Sequence, residues 1–252
     1  MSSKGKWFKM FIAILPFFIG LGVLLYPAVR GTAVGWHMKY EADSFLSRVD
    51  SGPYRAEPEG SFVEVPVQTE PAVPKVYPEL WEAMQAYNQA LLEDGQAGLN
   101  SPSAYEESSF YLPDYGVESE VFGVLNIPAL DLRMPIYLGA NDANMAKGAA
   151  ILFETSLPIG GSNTNAVIAG HRGWRGAAYF LNIHHLKPGE EVIITNLWDE
   201  LTYKVTDIQI IAPNDIDAIK IQPGKEIITL LTCHPPGSGG KQRYLVFCER
   251  MK

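Results

Sequence analysis

The stretch "TLLTCHPPGSGGKQRYLVF" (229–247) joins two apolar runs through a loop rich in proline and glycine. Apolar runs bounded by such residues are typical of the two strands of a β-hairpin. We therefore predict antiparallel strands in "EIITLLTC" (226–233) and "RYLVFCER" (243–250). A register that pairs Cys233 with Arg243 would place a thiol beside a guanidinium group, next to the hairpin loop.

The chain has only two cysteines, Cys233 and Cys248. In this register Cys248 pairs with Ile228, so the two sulfurs lie roughly 16 Å apart along the strands. A disulfide requires Cα atoms within about 7 Å of each other. The odd separation of Arg243 and Cys248 also turns Cys248 toward the other face of the sheet. We expect Cys233 to be a free thiol and Cys248 to be a core residue.

A free cysteine can be a small buried hydrophobe or a nucleophile. Nucleophilic attack needs the thiolate, and only about 3% of an ordinary thiol is ionised at pH 7. A neighbouring histidinium or guanidinium group raises that fraction. The predicted register supplies Arg243 as the neighbour, and this favours the nucleophile.

A histidine partner can be sought among the five histidines of the chain. His171 ends the apolar run "NAVIAG" (165–170) and opens the loop "HRGWRG" (171–176), as a site at the mouth of a barrel would require. His234 adjoins Cys233, but successive strand residues face opposite sides of a sheet. The remaining three are expected to be surface, packing or membrane-proximal residues: His37, His184 and His185.

From Met10 to Val29 the chain has 20 residues without a charge. A helix of that length spans roughly 30 Å, the thickness of a bilayer core. Lysines precede this segment, which favours a cytoplasmic N-terminus. The alternative is a cleaved signal peptide, whose apolar region is usually about 7–15 residues long. Under either interpretation the rest of the chain lies outside the cytoplasm, and the first predicts a single-pass protein of the cell membrane with an extracellular domain.

The formal net charge is −8, from 20 basic and 28 acidic residues. Four basic residues and no acidic ones fall in the first 30 positions, so residues 31–252 carry about −12. So acidic a domain lacks the basic patch that nucleic acids bind, and we expect no nucleic-acid partner. The sequence has no cluster of metal-ligating residues, and we expect neither a metal nor another cofactor.

The sequence pattern divides residues 36–118 into two helices, a linker and a loop. Residues 36–49 continue as a helix with one apolar side: Met38, Ala42, Phe45 and Val49. Six prolines between positions 50 and 78 predict an extended linker. The run "PELWEAMQAYNQALLE" (78–93) predicts an amphipathic helix. Its apolar face holds Leu80, Met84, Tyr87 and Leu91. Residues 99–118 are predicted to form a long irregular loop.

From Val121 onward, short β-type runs alternate with turn signals. Eight such runs predict a closed barrel or a sandwich with short helical segments. They cover 121–127, 133–139, 148–154, 165–170, 191–197, 201–212, 226–232 and 243–249. Residues 177–186 are expected to be the longest helical stretch within this part.

Three features together resemble the sortase family: "TLLTC" (229–233), Arg243 ten residues after the cysteine, and "GHRG" (170–173) upstream. The resemblance extends from about Val121 to Glu249 and includes "LNIPALDLRMPIYLG" (125–139). It implies an eight-stranded sortase-type β-barrel, mainly β with short helices. It also implies a membrane-anchored cysteine transpeptidase of Gram-positive bacteria. The family's catalytic residues map onto His171, Cys233 and Arg243.

The chemistry that the resemblance implies is acyl transfer without a cofactor. The thiolate of Cys233 attacks the Thr–Gly bond of an LPxTG-type sorting signal, Arg243 steadies the oxyanion, and His171 protonates the leaving amine. An amine resolves the thioacyl-enzyme. The expected partners are LPxTG-bearing surface proteins or pilins, with a pilin lysine or a peptidoglycan precursor as the acceptor.

The helix and loop before the barrel look most like class C, the pilin-polymerising sortases. In that class a lid with an Asp-Pro-aromatic motif covers the active site, and Ser101-Pro102-Ser103 aligns there. The acid and the ring are both missing, although Tyr105 or Phe110 could supply a plug. The class usually carries a second membrane helix as well, which does not appear before Lys252. These departures leave a housekeeping sortase of class D or E as an alternative.

The predicted organisation has five parts. They are a cytoplasmic tail (1–9), a transmembrane anchor (10–30), a juxtamembrane helix with a proline-rich linker (31–78), an N-terminal helix with a lid-like loop (79–118) and the catalytic barrel (119–252). A non-catalytic membrane scaffold that binds sorting signals is an alternative from another functional class. A papain-like protease or an L,D-transpeptidase is disfavoured because neither local signature is present.

Overall fold

The computed structural model describes residues 3–51 and 75–251. The proline-rich linker predicted within residues 50–78 falls mostly on positions 52–74, which lie outside the described residues. Helix α1 runs from Ser3 to Ser51 and contains Pro16 and Pro27. Within the described residues it is the one helix that is long and apolar enough to cross a membrane, by length and composition. The large apolar side chains at Met10 and from Ile14 to Val29 are exposed.

The C-terminal part of α1 belongs to the core of the folded domain. Met38, Ala42, Phe45 and Val49 are all at most 5% exposed, so the predicted apolar side of this helix is confirmed. This side packs against the first two strands of the barrel. Asp43 adds an ion pair with Arg133 of the second strand at 2.9 Å, although an exposed pair of this kind contributes little stability.

Eight strands form a closed barrel, in the order β1-β2-β3-β4-β7-β8-β6-β5. Their bounds are Val121–Ile127 (β1), Leu132–Leu138 (β2), Ala149–Ile151 (β3), Thr164–Ala169 (β4), Glu191–Asn196 (β5), Glu200–Ile211 (β6), Glu226–His234 (β7) and Gln242–Arg250 (β8). Two neighbouring pairs are parallel, β2–β3 and β4–β7, and the others are antiparallel. The predicted barrel, mainly β with short helices, is therefore confirmed.

Helix α2 (Pro78–Asp94) buries Leu80, Met84 and Leu91, and ends at Gly95 with a φ of +67°. The side chain of Asn88 also ties it to the barrel. Asn88 accepts a hydrogen bond from the backbone N–H of Leu157 at 2.8 Å and donates one to its carbonyl at 3.0 Å. A one-turn helix, α3 (Asp142–Met145), follows β2. Residues 97–118 contain only 3-10 turns, at Ala97–Asn100, Pro102–Tyr105 and Leu112–Tyr115.

The helical stretch predicted at 177–186 is wrong in extent. Only Ile183–His185 form a single 3-10 turn. Tyr179 has a φ of +42°, which the interior of a right-handed helix does not allow. Its buried hydroxyl donates to the carbonyl of Ala146 at 2.7 Å, so this tertiary contact accompanies a backbone bend that local propensity could not reveal.

If the C-terminal part of α1 is part of the core, Phe45→Ala should lower the free energy of unfolding by about 3–5 kcal/mol, as expected for truncating a buried phenylalanine. Tyr40→Ala is the matched control, because Tyr40 lies on the same helix and is 57% exposed. The measurement is denaturant unfolding of the full chain in detergent. Equal midpoints for the two variants would contradict the packing described above.

Candidate active site

The parallel pairing of β4 with β7 brings two distant segments to one rim of the barrel. Ala169 lies opposite Leu231, and the next residue, Gly170, donates its N–H to the carbonyl of Leu231 at 3.0 Å. The hydroxyl of Thr232 then donates to the carbonyl of Gly170 at 2.6 Å. Gly170 and Thr232 are thus the last hydrogen-bonded pair between the two segments. His171 and Cys233 directly follow them, at the same end of β4 and β7.

The hairpin of β7 and β8 has the predicted register, with Cys233 opposite Arg243 and Ile228 opposite Cys248. Both cysteines are free, and Cys248 is fully buried. Nη1 of Arg243 lies 4.0 Å from Sγ of Cys233 and donates to the carbonyl of Gly240 at 2.8 Å. The guanidinium group is thus held beside the thiol by the backbone of the hairpin loop.

Gly240 leaves the space that this arrangement needs. A Cβ atom added there would lie 2.9 Å from Nη1 of Arg243 and 3.4 Å from Sγ of Cys233. Its φ of +81° is also strained for any side chain. Position 240 of the loop therefore requires glycine, because a side chain there would displace Arg243 and strain the backbone.

His171, Cys233 and Arg243 line one cavity of about 430 Å³. Other side chains that line it include Tyr105, Glu106, Asp142 and Met145. Cys233 is only partly buried, so its thiol is accessible to a reactant that enters this cavity. Among the residues that the structure describes, no group of three or more His, Cys, Asp and Glu side chains could hold a metal ion.

Two aromatic rings fix the imidazole of His171. Trp174 stacks on it with a centroid distance of 4.5 Å and an interplanar angle of 15°. Tyr179 approaches edge-on, at 5.8 Å and 84°. Burial lowers the pKa of His171 below its ordinary value of 6.5, while the carboxylate of Asp142 acts in the opposite direction. Asp142 could not be assigned to the site from sequence, because only the fold brings it to His171, whereas Trp174 lies in the loop that His171 opens.

The lid-like residues are placed unequally. Ser101 and Ser103 hydrogen bond to each other at 2.8 Å and do not line the cavity. Pro102 begins the short 3-10 turn that ends at Tyr105. Tyr105 does line the cavity and remains 39% exposed. Phe110, the other suggested plug, packs instead against Tyr87 of α2 at 5.7 Å.

The other histidines are elsewhere. His37, His184 and His185 are exposed. His234 faces away from the cavity lining, next to Tyr244 at 5.7 Å between rings. Its Nδ1 is buried without a hydrogen-bond partner among the described residues. The alternation of strand residues thus separates His234 from Cys233, as the sequence predicts.

Residues 125–251 match the family model of the sortase domain. Sortase A of Streptococcus agalactiae serotype III (strain NEM316) is 30% identical over 135 residues, which are 52% of this chain and 53% of that protein. Sortase D of Bacillus subtilis (strain 168) is 26% identical over 154 residues, which are 60% of this chain and 73% of that protein. The chain therefore spans about half the length of the first of these relatives.

Solved structures with a similar fold include class C sortases. One is the Clostridium perfringens sortase C with the C-terminal cell wall sorting motif, with a TM-score of 0.62 and 29% identity, over 84% of this chain and 98% of that chain. Another is sortase C1 of GBS Pilus Island 1, with a TM-score of 0.60 and 29% identity, over 70% of this chain and 83% of that chain.

The effect of the Asp142 carboxylate on the pKa of His171 can be tested directly. Asp142→Asn removes the negative charge that favours the imidazolium ion, so the pKa of His171 should fall further below 6.5. Glu106→Gln, which alters another carboxylate of the same cavity, should leave it unchanged. The measurement is an NMR titration of the histidine ring signals, assigned with His171→Gln. A pKa of His171 that stays unchanged or rises in Asp142→Asn would contradict the electrostatic effect of Asp142.

Proposed function

This chain belongs to the sortase family and is most like its class C members, and we propose that it is a cysteine transpeptidase with Cys233 as its nucleophile. The single observation that carries this proposal is the pairing of Cys233 with Arg243 in a cavity that His171 also lines. A mere scaffold would need no cation beside its thiol. Cys248, the other thiol, is buried, and burial raises its pKa strongly, so it is a poor nucleophile.

The proposed reaction is an acyl transfer in two steps. The thiolate of Cys233 adds to the carbonyl carbon of a Thr–Gly bond, and the guanidinium of Arg243 stabilises the oxyanion that forms. The imidazolium of His171 gives its proton to the departing glycine amine, and the C–N bond breaks to leave a thioester. An acceptor amine then attacks the thioester, loses a proton to the neutral imidazole and releases the thiolate.

The proposed substrate is an LPxTG-type sorting signal, and the proposed acceptor is the amine of a pilin lysine. Support comes from the likeness to class C structures, one of which contains a C-terminal cell wall sorting motif. The serines of the lid motif favour a second candidate, in which the acceptor is a peptidoglycan precursor amine. Incubating the acyl-enzyme with each amine and identifying the product by mass spectrometry separates the two.

The proposed location is the cell membrane, with the barrel outside the cytoplasm. The support is the exposed apolar surface of α1 from Ile14 to Val29 and the basic residues near the start of the chain. This topology would place the cavity on the same side of the membrane as secreted substrates.

The central test of the proposal is thioacyl-enzyme formation with an LPxTG peptide, followed by mass spectrometry of the intact protein. Cys233→Ala should abolish the adduct and leave the fold intact. Cys248→Ala should retain it, because this thiol is remote from the cavity and its truncation removes little volume. A well-folded Cys248→Ala variant that forms no adduct would contradict the assignment, as would a disulfide in the unreduced wild type.

We further propose that the lid segment, residues 99–112, lies beside the cavity without closing it. The backbone of the segment is anchored, since the N–H of Phe153 donates to the carbonyl of Ala104 at 3.1 Å. Ser101, however, offers no charge to Arg243 and Ser103 offers no ring to Cys233. A missing charge-assisted contact of about 1.5–3 kcal/mol is enough to shift such a segment from mainly closed to substantially open.

An open lid predicts that Cys233 reacts readily with iodoacetamide, and that Tyr105→Ala accelerates this reaction by less than about threefold. Tyr111→Ala is the matched control, because Tyr111 lies in the same segment, is 60% exposed and does not line the cavity. A much larger acceleration in Tyr105→Ala alone would show that the tyrosine occludes the thiol.

A further inference from the structure

The loop that follows His171 packs directly on α1. A Cβ atom added to Gly31 would overlap with the carbonyl oxygen of Gly176, and one added to Gly176 would overlap with the carbonyl oxygen of Pro27. The same atom on Gly176 would lie 3.1 Å from the Cα atom of Gly31. Two backbones therefore touch at this point because both residues lack side chains.

The position of this contact along α1 is informative. Pro27 belongs to the last turn of the uncharged segment Met10–Val29, and Arg30 is the first charged residue after it. If the uncharged segment fills the bilayer core, the contact lies at the boundary between acyl chains and headgroups. The loop from Arg172 to Gly176 must then lie at the membrane surface.

We propose that this loop is a membrane-docking surface, in which Arg175 and Arg30 bind the phosphates of anionic lipid headgroups and Trp174 lies in the interface. The proposal rests on the single-pass topology proposed above. The occupant of this surface is the outer leaflet of the membrane that α1 itself spans.

The charges of the loop fit this occupant. Arg175 is exposed, and neither Arg175 nor Arg30 forms an ion pair with any residue that the structure describes. Both guanidinium groups lack an ion-pair partner among the described residues and lie at one end of a strongly acidic domain. They are suited to phosphate, which guanidinium groups bind in a bidentate manner. Lipid headgroups supply that phosphate at the depth where the loop lies.

The aromatic residues fit the same depth. Trp174 is 37% exposed and Tyr26 is 59% exposed, and both types are enriched where acyl chains meet water. The guanidinium of Arg175 lies 5.1 Å from the ring of Trp174, and that of Arg30 lies 5.8 Å from the ring of Tyr26. Each cation is thus paired with an aromatic ring, an amphipathic combination typical of an interface.

Docking of the loop on the membrane would affect the active site through the side chain of Trp174. Trp174 stacks on His171 at 4.5 Å, so a loop held by lipid also restrains the imidazole. The rim of the cavity that carries His171 would then face the membrane surface.

The experiment uses three variants of the full chain, each with Cys233→Ala and one new cysteine that carries a fluorescent label. Each variant is reconstituted in vesicles of phosphatidylcholine with phosphatidylglycerol. Ala178→Cys lies two residues after Gly176 and reports the position of the loop. Val23→Cys reports the span, and Ser162→Cys reports the opposite end of β4. Ala178 and Ser162 are both exposed. Cys248 is buried and stays unlabelled. Lipids with a nitroxide in the headgroup or in the acyl chain quench nearby labels.

We expect acyl-chain quenching at position 23, and headgroup quenching at position 178 that is at least about threefold stronger than at position 162. Acyl-chain quenching at position 23, together with equally weak headgroup quenching at positions 178 and 162, would contradict the docking of the loop. The membrane span would still be supported. No quenching at 23 would overturn the span and the docking with it, whereas adduct formation by the barrel is tested separately.

Two substitution pairs test the contacts themselves. Arg175→Gln should reduce quenching at 178 in vesicles with phosphatidylglycerol, and Lys225→Gln, which removes a charge at the opposite end of the barrel, should not. Gly31→Leu should displace the loop and reduce the same signal. Gly35→Leu, one turn further along α1 and with nothing within 4 Å, should not. Unchanged quenching at 178 in both Arg175→Gln and Gly31→Leu would overturn the proposal.

Discussion

The parallel pairing of β4 and β7 is the interaction on which the candidate site depends. These strands are far apart in the chain, and only their register brings His171 and Cys233 to the same rim. Two further hydrogen bonds between Gly170, Leu231 and Thr232 continue the pairing beyond the last matched residues. The antiparallel partner β8 then adds Arg243 from the other side of β7. Two strand residues and His171, which lies just beyond the end of β4, thus converge because the barrel closes in this order.

Much of this arrangement could be predicted from sequence, because the determining patterns are local. Strand alternation and a short hairpin loop determine whether Cys233 faces Arg243, and the same arithmetic excludes a disulfide with Cys248. The apolar side of α1 beyond the uncharged segment also follows from helical spacing. The strand pattern alone allows either a barrel or a sandwich, and only the sortase resemblance selects the barrel.

Other features could not be predicted, because they depend on contacts between distant segments. Asp142 reaches the site through α3, a helix of a single turn, and the sequence gives no sign that it lies near His171. The bend at Tyr179 accompanies a hydrogen bond to Ala146 on another segment, so helical propensity in residues 177–186 was misleading. Likewise, the lid motif drew attention to Ser101 and Ser103, whereas Tyr105 is the residue that lines the cavity.

The unbroken course of α1 has a consequence for how the protein meets its partners. Residues 31–51 continue the helix from the apolar segment, over a rise of roughly 30 Å, and their buried side is part of the barrel's own core. A catalytic domain on a flexible tether can occupy any position within a hemisphere around its anchor point, and its orientation relative to the membrane is random. If α1 spans the membrane as proposed, the continuous helix keeps the domain at a constant height and in a constant orientation, and the domain searches only by lateral diffusion in two dimensions. Encounters with molecules held in the same membrane then depend on surface density rather than on bulk concentration.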